Sequence, residues 1–152
     1  SRGVLWDKAS DYKSIINGVS RLDYNKFRSR KYEGIILGLS HRGAKRVENK
    51  RFSKLFKMLC DFAKSNNLPY TGIQVNKNLI CKPHTDRYNT TLSHILFLGD
   101  FEGGGLHCEN GRFITEKNKI HRLNGKIKHW NEDRLEGTKY SIIWYTHKRL
   151  VQ

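Results

Sequence analysis

Two apolar, β-branched runs, at residues 71–75 and 91–98, bracket the segment His84-Thr85-Asp86-Arg87-Tyr88-Asn89, and no other feature constrains this 152-residue chain as tightly. On an extended backbone residues i and i+2 point to the same face, so His84 and Asp86 can grip one ion together. A closed tetrahedral zinc site would need a fourth protein ligand. The chain has no Cys-x-x-Cys or His-x-x-x-His spacing to supply it, and Cys60, Cys81 and Cys108 stand singly. Two histidines and one carboxylate, with the opposite positions open, suit non-haem Fe(II), which takes a co-substrate and O2 together. The pair therefore calls for a second histidine from elsewhere in the chain.

Neighbouring residues decide which. Ten residues after His129 comes Lys139, inside Leu135-Glu136-Gly137-Thr138-Lys139-Tyr140-Ser141-Ile142-Ile143-Trp144-Tyr145. A Glu-Gly turn there leads into a β-branched, aromatic strand. Lys139, Ser141, Ile143 and Tyr145 would share one face, setting an ammonium beside a hydroxyl where both can hold a carboxylate. The same spacing from His121 reaches Asn131, with neither strand nor cation, and from His107 it reaches Lys117, in a polar stretch. His41, His94 and His147 have no partner pattern. His129 is the expected third ligand.

The order His-x-Asp, Gly-rich turn before a short strand, then His with Lys or Arg ten residues on resembles the Fe(II)/2-oxoglutarate dioxygenases, over about residues 71–145. Within them, Gln74-Val75-Asn76-Lys77-Asn78, His84-Thr85-Asp86-Arg87-Tyr88-Asn89 and Gly99-Asp100-Phe101-Glu102-Gly103-Gly104-Gly105-Leu106 look most like the TET/J-binding-protein branch, which hydroxylates pyrimidine 5-methyl groups in nucleic acid. Lys139 stands where that branch usually has Arg, and Lys is more familiar from protein hydroxylases. Hydroxylation of a prolyl, lysyl or asparaginyl side chain is therefore the alternative, and a catalytically silent basic jelly roll is a third.

The resemblance implies a mainly β fold with N-terminal helices around a double-stranded β-helix (jelly roll). It implies Fe(II) on His84, Asp86 and His129, with 2-oxoglutarate and O2 as co-substrates and the distal carboxylate of 2-oxoglutarate on Lys139. Succinate and CO2 would leave as a C–H bond is hydroxylated, so no acid–base dyad or nucleophile is needed. Ser141 either bonds the distal carboxylate or only faces the site. Gln74 and Asn76 alternate with Ile73 and Val75, so their amides are expected to face the cavity, toward co-substrate or a substrate base. Asn89 orients the ligands, touches substrate or simply makes a turn.

Charge points to the partner. Twenty-nine Lys and Arg against fourteen Asp and Glu give a net charge of +15. Residues 21–57 hold twelve basic and three acidic residues, and residues 117–149 hold nine against three. A generally basic, solvated surface would look like this, and so would an electrostatic footprint for a polyanion. We read a nucleic-acid partner, DNA ahead of RNA. Arg42, Lys45, Arg46, Lys50 and Arg51, with the flank at residues 28–31, are the candidates for holding phosphates. Tyr and Trp side chains would stack on a displaced base. No apolar run reaches the roughly 18 residues that span a bilayer, and no membrane partner is expected. Three unpatterned cysteines suit a reducing, intracellular compartment.

The length suits one domain, with residues 1–69 as a helical, basic support and 70–148 as the catalytic core. Residues 11–19 read as a short helix and 34–39 as a buried strand. Across residues 50–66, Phe52, Leu55, Phe56, Leu59, Phe62 and Ala63 recur at helical spacing, giving one apolar stripe under a lysine-rich outer face. Asn66-Asn67-Leu68-Pro69 ends that helix. Beyond it, short strands alternate with Asn/Gly turns. Gly103-Gly104-Gly105 reads as a turn that brings backbone close to the site, and Asn110-Gly111 and Asn124-Gly125 read as hairpin turns.

Overall fold

A computed structural model of the chain describes residues 8–22, 25–26 and 33–151, so the candidate flank at 28–31 lies outside the described residues. Helix α1 spans Lys8–Ser20, α2 Glu48–Arg51 and α3 Ser53–Ser65. The strands are β1 (Asn25–Lys26), β2 (Glu33–Gly38), β3 (Gly72–Lys77), β4 (Ser93–Gly103), β5 (Leu106–Cys108), β6 (Phe113–Ile114), β7 (Ile120–Leu123), β8 (His129–Asn131) and β9 (Leu135–Tyr145). They form a six-stranded sheet in the order β1-β2-β3-β9-β4-β7 and a three-stranded sheet in the order β6-β5-β8. This is the mainly β, jelly-roll architecture with helices at its N-terminal side.

The large sheet separates two cores, and period-2 alternation builds both. One face presents Ile35, Leu37, Ile73, Val75, Leu96, Leu98, Ile142 and Trp144 to α1 and α3, meeting Tyr12, Ile15, Val19, Leu55, Leu59 and Phe62. Trp144 is fully buried, its ring stacked 5.4 Å from that of Phe62 and its indole N–H donating to the Leu59 carbonyl at 3.3 Å. The other face carries Ile95 and Phe97, which pack with Leu106, Cys108, Ile114 and Leu123 toward the small sheet. Helices thus cover one side of the sheet and leave the other free to form a cavity.

Two local readings change. The helix expected over 50–66 is broken at Phe52, whose φ of −116° and ψ of 44° leave the helical region. Asn49 supplies a reason for the break. Its amide accepts from Gly38 N at 2.7 Å and donates to Gly38 O at 3.0 Å, holding α2 on the end of β2 while α3 turns its stripe onto the sheet. Asn124-Gly125 is not a hairpin turn. It carries the chain from β7, paired with β4 in the large sheet, to β8, paired with β5 in the small one. Asn110-Gly111 does join a hairpin, β5 to β6. No described helix is long and apolar enough to cross a membrane.

Candidate metal centre and co-substrate cavity

His84 and His129 face each other across an antiparallel bridge, with His84 N donating to His129 O at 3.1 Å and the reverse bond at 3.0 Å. Directly opposed residues project to one side, and the two rings lie 4.3 Å apart. Asp86 follows in a turn whose N–H donates to Gly125 O at 2.7 Å. Its two oxygens each lie 3.4 Å from one imidazole, Oδ1 from His84 Nε2 and Oδ2 from His129 Nε2. The three ligand atoms fall within 4.8 Å of one another. His129 is buried, and the His84 side chain is 41% exposed.

The donor set fits a metal ion because its orientation is fixed from behind. His84 Nδ1 donates to Lys82 O at 2.7 Å and His129 Nδ1 to Ile127 O at 2.8 Å. Both Nε2 atoms are thereby turned toward Asp86 as the ligating nitrogens. Burial alone would raise the Asp86 carboxyl, but its hydrogen bonds with His129 and His84 and their charges hold it well below the usual carboxylate range. The bond to Asp86, followed by one to Cys81, pushes His84 up to about 10 against the opposing effect of burial. A metal ion would take the place of these contacts between the carboxylate and the two rings.

A cavity of about 910 Å³ opens beside the three ligands, and it is here that the strands of the large sheet converge. Register sets Gln74, Ile143 and Ile95 in one row across β3, β9 and β4, and Asn76, Ser141 and Phe97 in the next. Lys139 lines the same cavity at only 2% exposure. Its ammonium donates to Gly104 O at 2.6 Å and sits 4.3 Å from the centre of the Phe97 ring. Desolvation pushes its pKa down to about 8. One carbonyl uses one of three N–H donors, so two can meet an incoming carboxylate. A buried cation with spare donors, on the same cavity as an open metal-ligand set, fits 2-oxoglutarate.

The other candidates divide. Gln74 and Ser141 line the cavity with Lys139. Asn76 is fully buried and stops short of it, accepting from Gln74 Nε2 at 2.9 Å and donating to Ser141 Oγ at 3.4 Å. Its amide thereby links the two side chains that do line the cavity. Ile143 lines the cavity, whereas the Tyr145 ring lies over Gly72 beyond it. Asn89 closes the turn after Asp86, donating from its N–H to Asp86 O at 3.1 Å. Arg42, Lys45, Lys50 and Arg51 are exposed and outside the cavity lining, and Arg46 is half-buried. His121 is engaged elsewhere, with Nε2 bonded to Glu116 O at 2.9 Å.

Three contributors are not evident from local sequence. Asn131 accepts from Cys81 N at 3.0 Å and donates to Gly104 O at 3.0 Å, tying the 78–83 loop to the glycine turn. Asn78, in the left-handed region at φ 56°, accepts from Lys139 N at 2.9 Å and fixes the level of the ammonium. Gly125 is required by proximity, since a Cβ there would lie 2.6 Å from Asp86 Oδ2. The signal for Asn131 is its period-2 relation to His129. Gly125 carries no signal beyond its turn.

No protein-family model matches the sequence, and no curated protein matches it. Solved structures do. The fold is similar to NgTET1 in complex with 5mC DNA, with a TM-score of 0.56 and 17% identity over 92% of this chain and 66% of that one. This chain thus spans just under two thirds of the NgTET1 chain. A 2OG-Fe(II) oxygenase family oxidoreductase from Burkholderia pseudomallei gives 0.59 at 14% identity, over 90% of this chain and 77% of that one. A C-terminally truncated protein of Neurospora crassa, in apo form, gives 0.53 at 12% identity, over 95% and 79% respectively. The shared feature is the fold, and the His-Asp-His group is observed in this chain itself.

Proposed function

We propose that this chain is an Fe(II)- and 2-oxoglutarate-dependent dioxygenase that hydroxylates a pyrimidine 5-methyl group in nucleic acid. One observation carries the enzymatic part: His84, Asp86 and His129 border the same cavity as the buried ammonium of Lys139. When bound, iron with 2-oxoglutarate and O2 supplies oxidation of an unactivated C–H bond with release of succinate and CO2. The three ligands hold the metal. Lys139 and the Ser141 hydroxyl receive the distal carboxylate by charge-assisted hydrogen bonds. Ile95, Phe97, Leu106 and Ile143 give the cavity apolar walls that keep water from the reacting carbon.

The nucleic-acid part is supported by the rim. Segments 38–47, 82–91 and 144–151 carry Arg42, Lys45, Arg46, Lys82, Arg87, Lys148 and Arg149, and their one acid is the ligand Asp86. The segments pack together. Lys148 N donates to Tyr88 O at 2.9 Å, Asn89 bridges His147, and Leu150 lies against Gly43. Tyr88, two residues beyond Asp86, is 58% exposed and lies parallel to the His147 ring at 6.0 Å. Cations around an open aromatic ring suit a strand whose phosphates are neutralised and whose bases stack. A base inside a duplex would have to be flipped to reach the metal. The DNA complex of NgTET1 favours the same partner.

The test is succinate release with Fe(II), 2-oxoglutarate and O2 on thymine- or 5-methylcytosine-containing DNA, on RNA and on proline-rich peptides. Stimulation by a methylated pyrimidine substrate is expected. Turnover on peptides alone would move the substrate to protein side chains and leave the metal centre as described.

A further inference from the structure

Lys139 is a buried cation without a counterion. It is only 2% exposed and forms no ion pair among the described residues. Neutral groups hold it instead. The Gly104 carbonyl accepts from the ammonium at 2.6 Å, and the ring centres of Phe97 and Phe101 lie 4.3 and 5.7 Å from it. Such groups solvate a charge without cancelling it, so the ammonium keeps its attraction for an incoming carboxylate. Whatever orients the Gly104 carbonyl therefore orients the spare donors of Lys139.

Asn131 is placed to do this. It follows His129 by two residues on β8, so the two side chains share a face, and both line the cavity with Lys139. Asn131 is buried. Its Nδ2 donates to Gly104 O at 3.0 Å, the acceptor that Lys139 Nζ also uses. A carbonyl oxygen has two lone pairs, one for each of these donors. Asn131 Oδ1 accepts from Cys81 N at 3.0 Å and from Cys81 Sγ at 2.9 Å, and Asn131 N donates to Cys81 O at 3.0 Å. The next residue, Lys82, accepts at its carbonyl from His84 Nδ1 at 2.7 Å. One amide thus joins the loop that turns His84 toward the metal to the carbonyl that holds Lys139.

The neutrality of this amide matters as much as its shape. A carboxylate of the same size could still accept from Cys81 N. Its second oxygen would face the Gly104 carbonyl, acceptor against acceptor, and would be drawn to the ammonium instead. Lys139 would then have a counterion within the protein, competing with the distal carboxylate of 2-oxoglutarate. We propose that Asn131 is a positioning residue for the co-substrate, a proposal that rests on the 2-oxoglutarate reading of the Lys139 cavity. It holds the Gly104 carbonyl so that the ammonium stays unpaired and aimed into the cavity.

The experiment is calorimetric titration of 2-oxoglutarate into the Mn(II)-loaded protein, which reads binding without turnover. Wild type, Asn131→Asp, Lys139→Ala and the double variant form a cycle, with Mn(II) affinity measured separately for each. Asn131→Asp should weaken 2-oxoglutarate about tenfold or more while Mn(II) still binds. In the Lys139→Ala background the same substitution should cost markedly less, since only direct repulsion between carboxylates is left. The pH profile is a second readout. Burial pushes Lys139 down to about 8, and Cys81 and Glu132 are the titratable neighbours that oppose this shift. Lys117, 4.4 Å from the centre of the Phe101 ring, is the same in every variant. A carboxylate beside the ammonium would raise its pKa, so the pH at which 2-oxoglutarate affinity falls should move upward in Asn131→Asp.

If Asn131→Asp does not fold, Asn131→Ala carries the same cycle. It should weaken 2-oxoglutarate by a smaller factor when Lys139 is present and change nothing further once Lys139 is gone. Unchanged affinity in the Asn131 variants, an equal loss in both backgrounds, or loss of Mn(II) together with 2-oxoglutarate would each overturn the role. An equal loss would make Asn131 a part of the fold alone, and loss of Mn(II) would make it a support of the metal ligands. If the wild type binds Mn(II) and no 2-oxoglutarate, the co-substrate reading falls and this proposal with it.

Discussion

His129 and Lys139 line one cavity because β8 and β9 deliver an imidazole and an ammonium to it. Substituting His84, Asp86 or His129 by Ala should abolish succinate formation and tight Fe(II) binding while circular dichroism stays native. Retained iron in His129→Ala would displace it as a ligand. Lys139→Ala should raise the KM for 2-oxoglutarate roughly tenfold to a hundredfold, as one charge-assisted contact contributes about 1.5–3 kcal/mol. The depressed pKa adds a pH signature with two opposite signs. Between about 8 and the ordinary 10.5 of a free lysine, the unfolded chain binds a proton that the native state has released. Stability of the ligand-free protein therefore gains from Lys139 as pH rises through that window. Affinity for 2-oxoglutarate should fall over the same range, because the carboxylate needs the ammonium. A flat KM between pH 7 and 9.5, measured beside the Lys139→Ala protein, would remove the lysine from the co-substrate site. These side chains were legible because spacing and strand alternation are local signals. Gly125 was not, because its proximity to Asp86 joins segments nearly forty residues apart.

At the scale of elements, the large sheet keeps the helical core and the cavity on opposite faces, so their mutations should separate. Leu59, fully buried on α3 beneath Trp144, tests this. Leu59→Ala should cost about 2–5 kcal/mol, read as a lower Tm or denaturation midpoint. Fe(II) affinity and the KM for 2-oxoglutarate should hold at temperatures where the variant is folded. Parallel loss of iron affinity would mean that the sheet does not insulate the site. The stripe on α3 was readable from periodicity, yet its break at Phe52 was not. That break depends on Asn49 meeting Gly38, a contact between segments that share no pattern. Asn124-Gly125 misleads for a related reason. Adjacent strands joined by an Asn-Gly turn usually pair, but here β7 and β8 find partners in different sheets. Turn chemistry specifies that the chain reverses and leaves open which strand it will join.

For the whole molecule, the net charge of +15 matters through its distribution. The outer face of α3 carries Lys54, Lys57 and Lys64, exposed on the far side of the sheet from the cavity, and Lys57 is already paired with Asp61 at 2.8 Å. Arg42, Lys45, Arg87 and Arg149 are exposed on the rim segments that pack around Tyr88 and His147. Composition alone could not separate these two populations, because only the fold sets one near the metal turn and one behind the helices. If the rim holds a strand, reversing charge at Arg42, Lys45, Arg87 and Arg149 should weaken binding across sequences and make the log–log salt slope shallower. The change should approach roughly 0.9 per phosphate contact on duplex DNA and roughly 0.7 on a single strand. Reversal at Lys54 and Lys64 should lower net charge by the same amount per substitution and leave the slope nearly unchanged, since a docking contact releases counterions only where phosphates lie. Preference for one base should survive the rim substitutions and respond to Gln74 in the cavity, because phosphate contacts position a strand and base contacts specify it. Equal loss from rim and helix substitutions would reduce the charge to a diffuse attraction, and the strand would then have to be held by the cavity alone.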